Sequence, residues 1–440
     1  MIVSRCFVRR LGIAGFTFAL GAGSAYAQSP PPTQSGGMQM PMPAGHNHQT
    51  MQMPENPLGI DHTRDGSGTS WLPDTTPMLG VMKHKGPWML MLHGNAFVQY
   101  IKAGSNRGDN QAGSINWIMG MAQRSFAGGQ IQFRTMLSLE PATVGRCGYP
   151  LLIQSGESCR GTPLHDRQHP HDLFMEVAAD YRRAITDSIA FEVYGGPAGE
   201  PALGPTAFPH RLSAMPNPFA PVAHHWLDST HISFGVVTGG VYGKQWKAET
   251  SAFNGREPDD RRYNIDVAAL DSYSGRFWFL PTSQVALQVS AGHLTEAESS
   301  ATGPAENVNR ITASMTYHRM VNERTWATTV AWGQNREEAH TTSAILVETA
   351  VDVTRSDVLF ARGEIIGKTA GELVLPLPPD ETFTTGKLQF GYTRWLWQGR
   401  GVQTGIGGSV GLSILPPSLE TFYGRRTPGE FSVFFTVRPH

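Results

Sequence analysis

Long hydrophobic runs are missing from this chain. Beyond the first residues, no segment reaches the roughly 18 consecutive apolar residues of a membrane-spanning helix, which argues against a helical membrane protein. Cysteine is scarce as well: there are three in 440 residues. None shows CxxC spacing, so a thiolate zinc site is a poor fit. A dominant charge is also lacking. The net charge of −1 at pH 7 argues against nucleic acid as a partner. No nucleophile elbow and no phosphate-cradling glycine loop occurs. Ser229 and Ser233 beside His231, with Asp228, are the nearest thing to a hydrolase set, and no family signature supports them. The expectation is a protein that is not an enzyme.

The N-terminus has the layout of a secretory signal. Arg5, Arg9 and Arg10 form a positive region, Leu11–Gly23 is apolar but too short to span a bilayer, and Ala25-Tyr26-Ala27 is a cleavage site. A signal peptide over residues 1–27 removes Cys6 and leaves Cys147 and Cys159. In an oxidising compartment that pair is expected to close a loop as one disulfide.

Residues 28–69 are rich in Pro, Gly, Gln, Met and His and hold little that could be buried. They read as a disordered leader. From residue 70 to 440 the pattern changes to period-two alternation, the mark of strands with one apolar face. Ile131, Phe133, Leu137 and Leu139 oppose Gln130, Gln132, Arg134 and Ser138. Val285, Leu287 and Val289 oppose Gln284, Gln288 and Ser290. Leu173, Met175, Val177 and Tyr181 oppose Asp172, Glu176 and Asp180. Side chains so long and charged point to a watery lumen.

The chain carries about sixteen such segments, and their connections alternate short and long, as in a closed antiparallel transmembrane β-barrel with tight periplasmic turns and longer outer loops. Short connections fall near residues 126–129, 185–187, 243–244, 281–282, 321–322, 355 and 398–400. Long ones fall near 104–113, 141–170, 197–228, 255–262, 295–306, 335–340, 368–381 and 416–427. The fold class is all-β, the location the outer membrane of a Gram-negative bacterium, and the partners the membrane lipid and the barrel assembly machinery.

Three features could carry chemistry. Met38, Met40, Met42, Met51 and Met53 interleave with His46, His48 and His62. Thioethers are soft ligands for Cu(I) and imidazoles suit Cu(II), Ni or Zn. The tract is therefore expected to capture copper, with periplasmic copper proteins as partners; the bland alternative is a linker. Second, His165, His169 and His171 lie on one loop, and His224, His225, Asp228 and His231 on another. The strand order puts both at the outer rim, with His231 on the inward parity of its strand. They serve either as a metal site or as hydrogen-bonded pins for long loops. Third, Met89, Met91 and His93 share one face of the first strand. That face either extends a soft-metal path inward, points to lipid, or fills gaps. Inward Asp172, Glu176, Asp180, Glu192 and Glu249, with Arg182 and Lys247, either tune ion selectivity or stiffen the barrel as ion pairs.

The phrases Gly68-Thr69-Ser70-Trp71-Leu72-Pro73-Asp74, His93-Gly94-Asn95-Ala96-Phe97, Asp166 to Asp172, His224 to Ser233 and Ser251 to Asp259 resemble a largely uncharacterised family of bacterial outer-membrane proteins. The order of signal, Met/His leader and barrel is similar to the copper-resistance protein B family, which implies copper handling with a copper ion as cofactor. The last strand, with Phe431, Val433, Phe435 and Val437 outward, resembles the C-terminal strand of bacterial outer-membrane barrels, but it is followed by Arg438-Pro439-His440 in place of a terminal aromatic. The competing readings are a general porin whose leader is incidental, and a structural barrel plugged by its loops.

Overall fold

A computed structural model describes residues 56–298 and 305–440. The expected signal peptide, and Met38, Met40, Met42, His46, His48, Met51 and Met53, lie outside these residues. The alternating segments become strands. They are β1 (Val81–Lys85), β2 (Trp88–Ala103), β3 (Asn110–Phe126), β4 (Gly129–Leu137), β5 (Tyr149–Cys159) and β6 (Thr162–Gln168). Next come β7 (Phe174–Ala184), β8 (Ala190–Ala198), β9 (Val236–Tyr242), β10 (Trp246–Phe253), β11 (Ser272–Thr282), β12 (Val285–Glu298) and β13 (Glu306–Val321). The last are β14 (Arg324–Arg336), β15 (Thr341–Asp352), β16 (Asp357–Thr369), β17 (Thr382–Gly399), β18 (Val402–Ile414) and β19 (Gly429–Pro439).

Sixteen of these form one closed antiparallel barrel. The seam is β19 against β2, running from Glu430 opposite Ala103 to Val437 opposite Ala96. β1 folds back as a hairpin on the first half of β2. β5 and β6 form a separate ribbon in the long connection after β4, closed by the Cys147–Cys159 disulfide. Short and long connections interleave as the sequence predicts.

Alternation sets which face meets lipid. Val98, Phe133, Val289, Phe431, Val433 and Phe435 stand exposed on the outer wall, while Gln132, Arg134, Gln288 and Ser290 are buried inside. An exposed apolar girdle of this size has the bilayer as its solvent. Gly407 shows how tightly the inner face is packed, because a Cβ there would lie 2.5 Å from the Phe434 ring. One parity differs from expectation. Met175 is buried inside, since a bulge opposite Met136 and Leu137 inserts it as the extra residue between Phe174 and Glu176. A bulge shifts facing by one, and period-two counting does not register it.

The lumen is not watery. Two layers of protein fill it. At the short-turn end, residues 56–78 enter the barrel, so the leader expected to be loose up to Thr69 is packed from Asn56 onward. A 3-10 turn, His62–Arg64, is capped by Asp61, whose Oδ1 accepts from Thr63 N at 2.9 Å. A tight loop follows, bridged between Asp65 and Trp71. Gly68 sits at its tip with φ +52°, and a Cβ there would come 2.7 Å from Cβ of Glu200. Only glycine suits both the backbone and the space. Leu58, Ile60 and Trp71 pack against Tyr242, Trp278 and Leu280 of the wall. Toward the other end, Leu151, Leu152 and Ile153 of β5 meet Phe219, Trp226, Leu373 and Tyr423 in a second apolar cluster.

Between the layers runs a belt of buried ion pairs. Arg134 meets Glu176 at 3.1 Å. Arg182 meets Asp180 at 2.8 Å, Glu192 at 2.7 Å and plug residue Asp65 at 2.9 Å. Lys247 meets Glu192 at 3.0 Å, and Arg276 meets Glu249 at 2.8 Å. The plug completes these partners. Gly68 O accepts from Arg134 at 2.6 Å, and Thr69 O accepts from Lys247. The inward carboxylates are therefore the struts of the two readings, not the lining of an open pore.

Removing one member of a buried pair strands the other charge and costs about 3–5 kcal/mol. Arg182→Ala should lower barrel stability by that order, read as the urea midpoint for folding into lipid vesicles. Arg355→Ala, which breaks the exposed pair with Glu323, should cost about 1 kcal/mol or less. Equal midpoints for the two variants would contradict the belt's role.

Candidate functional site

The site is built by the loop of residues 199–235 between β8 and β9. Pro201, Pro205, Pro209, Pro216, Pro218 and Pro221 deny it strand or long helix. It folds instead as a chain of turns inside the barrel, and it is anchored to the wall by side chains. Arg211, fully buried, reaches Glu348 of β15 at 2.7 Å, Asp228 at 2.7 Å and Thr206 O at 2.9 Å. Asn217 Nδ2 donates to Gln389 of β17 at 2.7 Å, and Ala223 N to Glu364 of β16 at 2.8 Å. Trp226 Nε1 donates to Thr342 of β15 at 2.9 Å.

Asp228 is the hub of this loop. One carboxylate oxygen takes Arg211 and Phe208 N, the other takes His224 Nδ1 at 2.9 Å, and its backbone carbonyl takes His231 Nδ1 at 2.8 Å. From the connection between β4 and β7, His171 Nδ1 meets Glu140 Oε1 at 2.9 Å. Ring centroids of His171 and His231 are 5.3 Å apart, and those of His224 and His231 5.1 Å. Phe208 packs on all three rings.

The structure thus gathers His171, His224, His225, Asp228 and His231. His165 stays apart on β6, half-buried, with Nδ1 on Asp166 at 3.0 Å. His169 Nδ1 lies 3.2 Å from Pro170 O. The cluster is inside the barrel and not at its outer rim, and His231 belongs to a 3-10 turn, Ser229–His231, rather than to a strand. The strand begins only at Val236, because the loop is longer than its composition shows. Each of the three imidazoles spends Nδ1 on holding polypeptide, which is the pinning role. Among the described residues no group of three or more His, Cys, Asp or Glu is arranged to hold a metal ion. The hydrolase arrangement is not formed either: Ser229 Oγ accepts from Arg310 at 2.8 Å and Ser233 Oγ donates to Thr230 O at 3.1 Å.

Met89 and His93 point inward, so this face of β2 does not meet lipid. His93 Nε2 lies 3.0 Å from Met119 Sδ, and its ring is 5.4 Å from His210. Sequence reasoning passed over His210, Arg211 and Glu348. Glu348 had a signal, a charge at the inward parity of β15. His210 and Arg211 sit in an aperiodic loop and had none.

Burial sets the protonation of the loop histidines. It pulls His224 from its ordinary value near 6.5 to about 4, and pulls His210 and His231 well below the ordinary range. Burial acts the same way on His171, but Glu140 outweighs it and raises that group. A histidine with a depressed pKa contributes stability above its unfolded value and loses it as pH falls toward the folded value. The loop should therefore loosen as pH drops from about 6.5 toward 4. Proteolysis of the loop measured across that range should rise with acidity. His224→Gln should flatten the rise, and an unchanged profile in that variant would remove His224 from the account.

No protein-family model matches the sequence, and no curated protein sequence matches it. Similar solved structures include outer-membrane proteins, among them a porin and a channel. OmpF of Salmonella typhi, solved with daunomycin, is 10% identical over 81% of this chain and 100% of its own, with a TM-score of 0.50. An anion-selective porin from Comamonas acidovorans is 9% identical over 80% of this chain and 99% of its own, at 0.49. The outer membrane channel DcaP of Acinetobacter baumannii is 8% identical over 82% and 100%, at 0.47. Sixteen paired strands, an apolar outer wall and the likeness to OmpF together give this chain the fold of an outer-membrane β-barrel.

Proposed function

We propose that this protein is a porin-type channel for small polar solutes in the outer membrane of a Gram-negative bacterium, held narrow by its own plug and inward loop. The observation that carries the reading is a cavity of about 500 Å³ at the short-turn end, with Asp352, Arg355, Gln398, Gln403 and Arg438 among its lining. It forms a vestibule of mixed charged and apolar lining inside the barrel wall, with loop residues Leu212 and Met215 on one side. Charged groups facing across such a space act on a passing ion or zwitterion. The vestibule opens on the periplasmic side if the short turns face the periplasm, as they do in barrels of this type.

The plug and the loop have unequal holds on the wall. The plug is held by backbone carbonyls on Arg134 and Lys247, by Asp65 on Arg182, by Thr69 on Arg276, and by Trp71, over which Arg64 lies 4.9 Å from the ring. Arg64 also reaches Asp74 at 2.6 Å. Substituting Arg64 and Trp71 loosens the plug and keeps every ion pair of the wall, Lys247 losing only the Trp71 ring 4.9 Å from its Nζ.

Planar-bilayer recording tests the proposal. The full chain should give small single-channel steps, and the Arg64→Ala/Trp71→Ala variant should give steps several-fold larger. Silence from both proteins, with folding verified by heat-dependent electrophoretic migration, would leave a structural barrel as the better reading.

A further inference from the structure

Beneath the plug tip lies a second, much smaller cavity of about 10 Å³, enough for a single water or ion. Its lining comes from three separate parts of the fold. β4 and β7 supply Met136 and Met175, and the inward loop supplies Glu200, His210 and His231. Two thioethers and two imidazoles therefore surround one ion-sized space.

Two of the lining groups lack a partner. His231 Nε2 and Glu200 Oε2 are buried with no hydrogen bond. His231 is oriented by its other nitrogen, since Nδ1 donates to Asp228 O. That leaves a lone pair on Nε2, the arrangement by which a hydrogen-bonded histidine presents itself to a metal. Glu200 is buried, and its one ion-pair partner, Arg276, stands off at 3.5 Å from the other oxygen. The free Oε2 of this weakly paired carboxylate is the atom that a cation in the cavity would satisfy.

Soft donors continue past the cavity. Met119, Met136 and Met175 belong to one buried cluster with Trp117. His93 Nε2 already touches Met119 Sδ, and His210 packs on Trp117 with centroids 4.8 Å apart. The imidazoles and carboxylates alone form no metal-holding group. The donor set is completed only by thioether sulfur, which selects soft monovalent ions over Zn(II) or Mg(II).

We propose that this cavity is a binding site for a soft monovalent cation of the Cu(I) and Ag(I) class, held by Met136, Met175, His210 and His231, with Glu200 balancing its charge. The site is independent of the Met/His tract near the N-terminus and of the channel reading. It lies where the plug, the wall and the inward loop meet.

Ag(I), which needs no reductant, is the probe. The full chain in detergent carries Met38, Met40, Met42, Met51 and Met53→Leu with His46 and His48→Ala, so that the tract is silenced and the barrel is untouched. This protein should retain one tightly bound Ag(I) per chain, with both sulfur and nitrogen neighbours in X-ray absorption and no displacement by excess Zn(II). Adding Met136→Leu and Met175→Leu, which conserve volume, should abolish that ion while heat-dependent migration stays normal. No retained Ag(I) in the first protein overturns the proposal. So does an ion with no sulfur neighbour, or one that survives both leucine substitutions in a folded barrel. If the leucine variant does not fold, the sulfur shell of the first protein and its loss of one thioether neighbour in Met175→Leu decide the matter.

Discussion

The structure depends on cations that are buried inside a membrane barrel and cannot leave. Arg134 and Arg182 project from the neighbouring strands β4 and β7, and Lys247 and Arg276 from the neighbouring strands β10 and β11, all with buried side chains. Desolvating such charges costs several kcal/mol each unless partners are close and well placed. Wall carboxylates supply some of those partners, and the rest come from the backbone and side chains of residues 65–69. The plug is therefore not an accessory lying in a finished pore. Taking it away exposes the wall's own charge pattern. The same logic governs the inward loop, where Arg211 ties Asp228 to Glu348 and thereby ties the histidine turn to the barrel.

The barrel itself was legible in the sequence because its signals are local. Alternation at Gln130–Arg134 or Gln284–Ser290 needs only a strand and two solvents, and loop lengths sort by side without any knowledge of contacts. What filled the lumen was not legible. Polar inward residues look alike whether they face water or a buried partner, so Arg182 and Glu192 gave a correct face but left pore lining and ion-pair strut as equal readings, of which the structure shows the strut. The plug was misjudged for a related reason. Residues 56–72 are short of apolar side chains and hold themselves through backbone carbonyls, which composition does not report. Met175 was lost to a bulge, and the rim position of His224 and His231 to a loop expected to end near residue 228 that runs on to the strand starting at Val236.

Of the candidate residues, the histidine loops were the better choice for structural reasons. Asp228 and its two imidazoles are central, but their Nδ1 atoms serve the fold. Met136 and His210 drew no attention because a lone methionine on a strand and a lone histidine in a proline-rich loop carry no spacing. They meet only in three dimensions, across β4 and the inward loop, beneath the plug tip.

The placement of the plug in the chain has a consequence for the order of assembly. Its wall contacts run from Arg134 on β4 to His318 on β13, where Thr75 Oγ1 donates to the backbone at 2.7 Å. None of these is at the β19–β2 seam. An open, curved sheet ending at β13 already offers the hydrogen bonds and ion pairs of residues 64–76 to the wall, so this part of the plug can be seated while the barrel is still a trough. Closing the seam then traps it. A segment lying ahead of the first strand is in that way enclosed without ever being threaded through a finished ring.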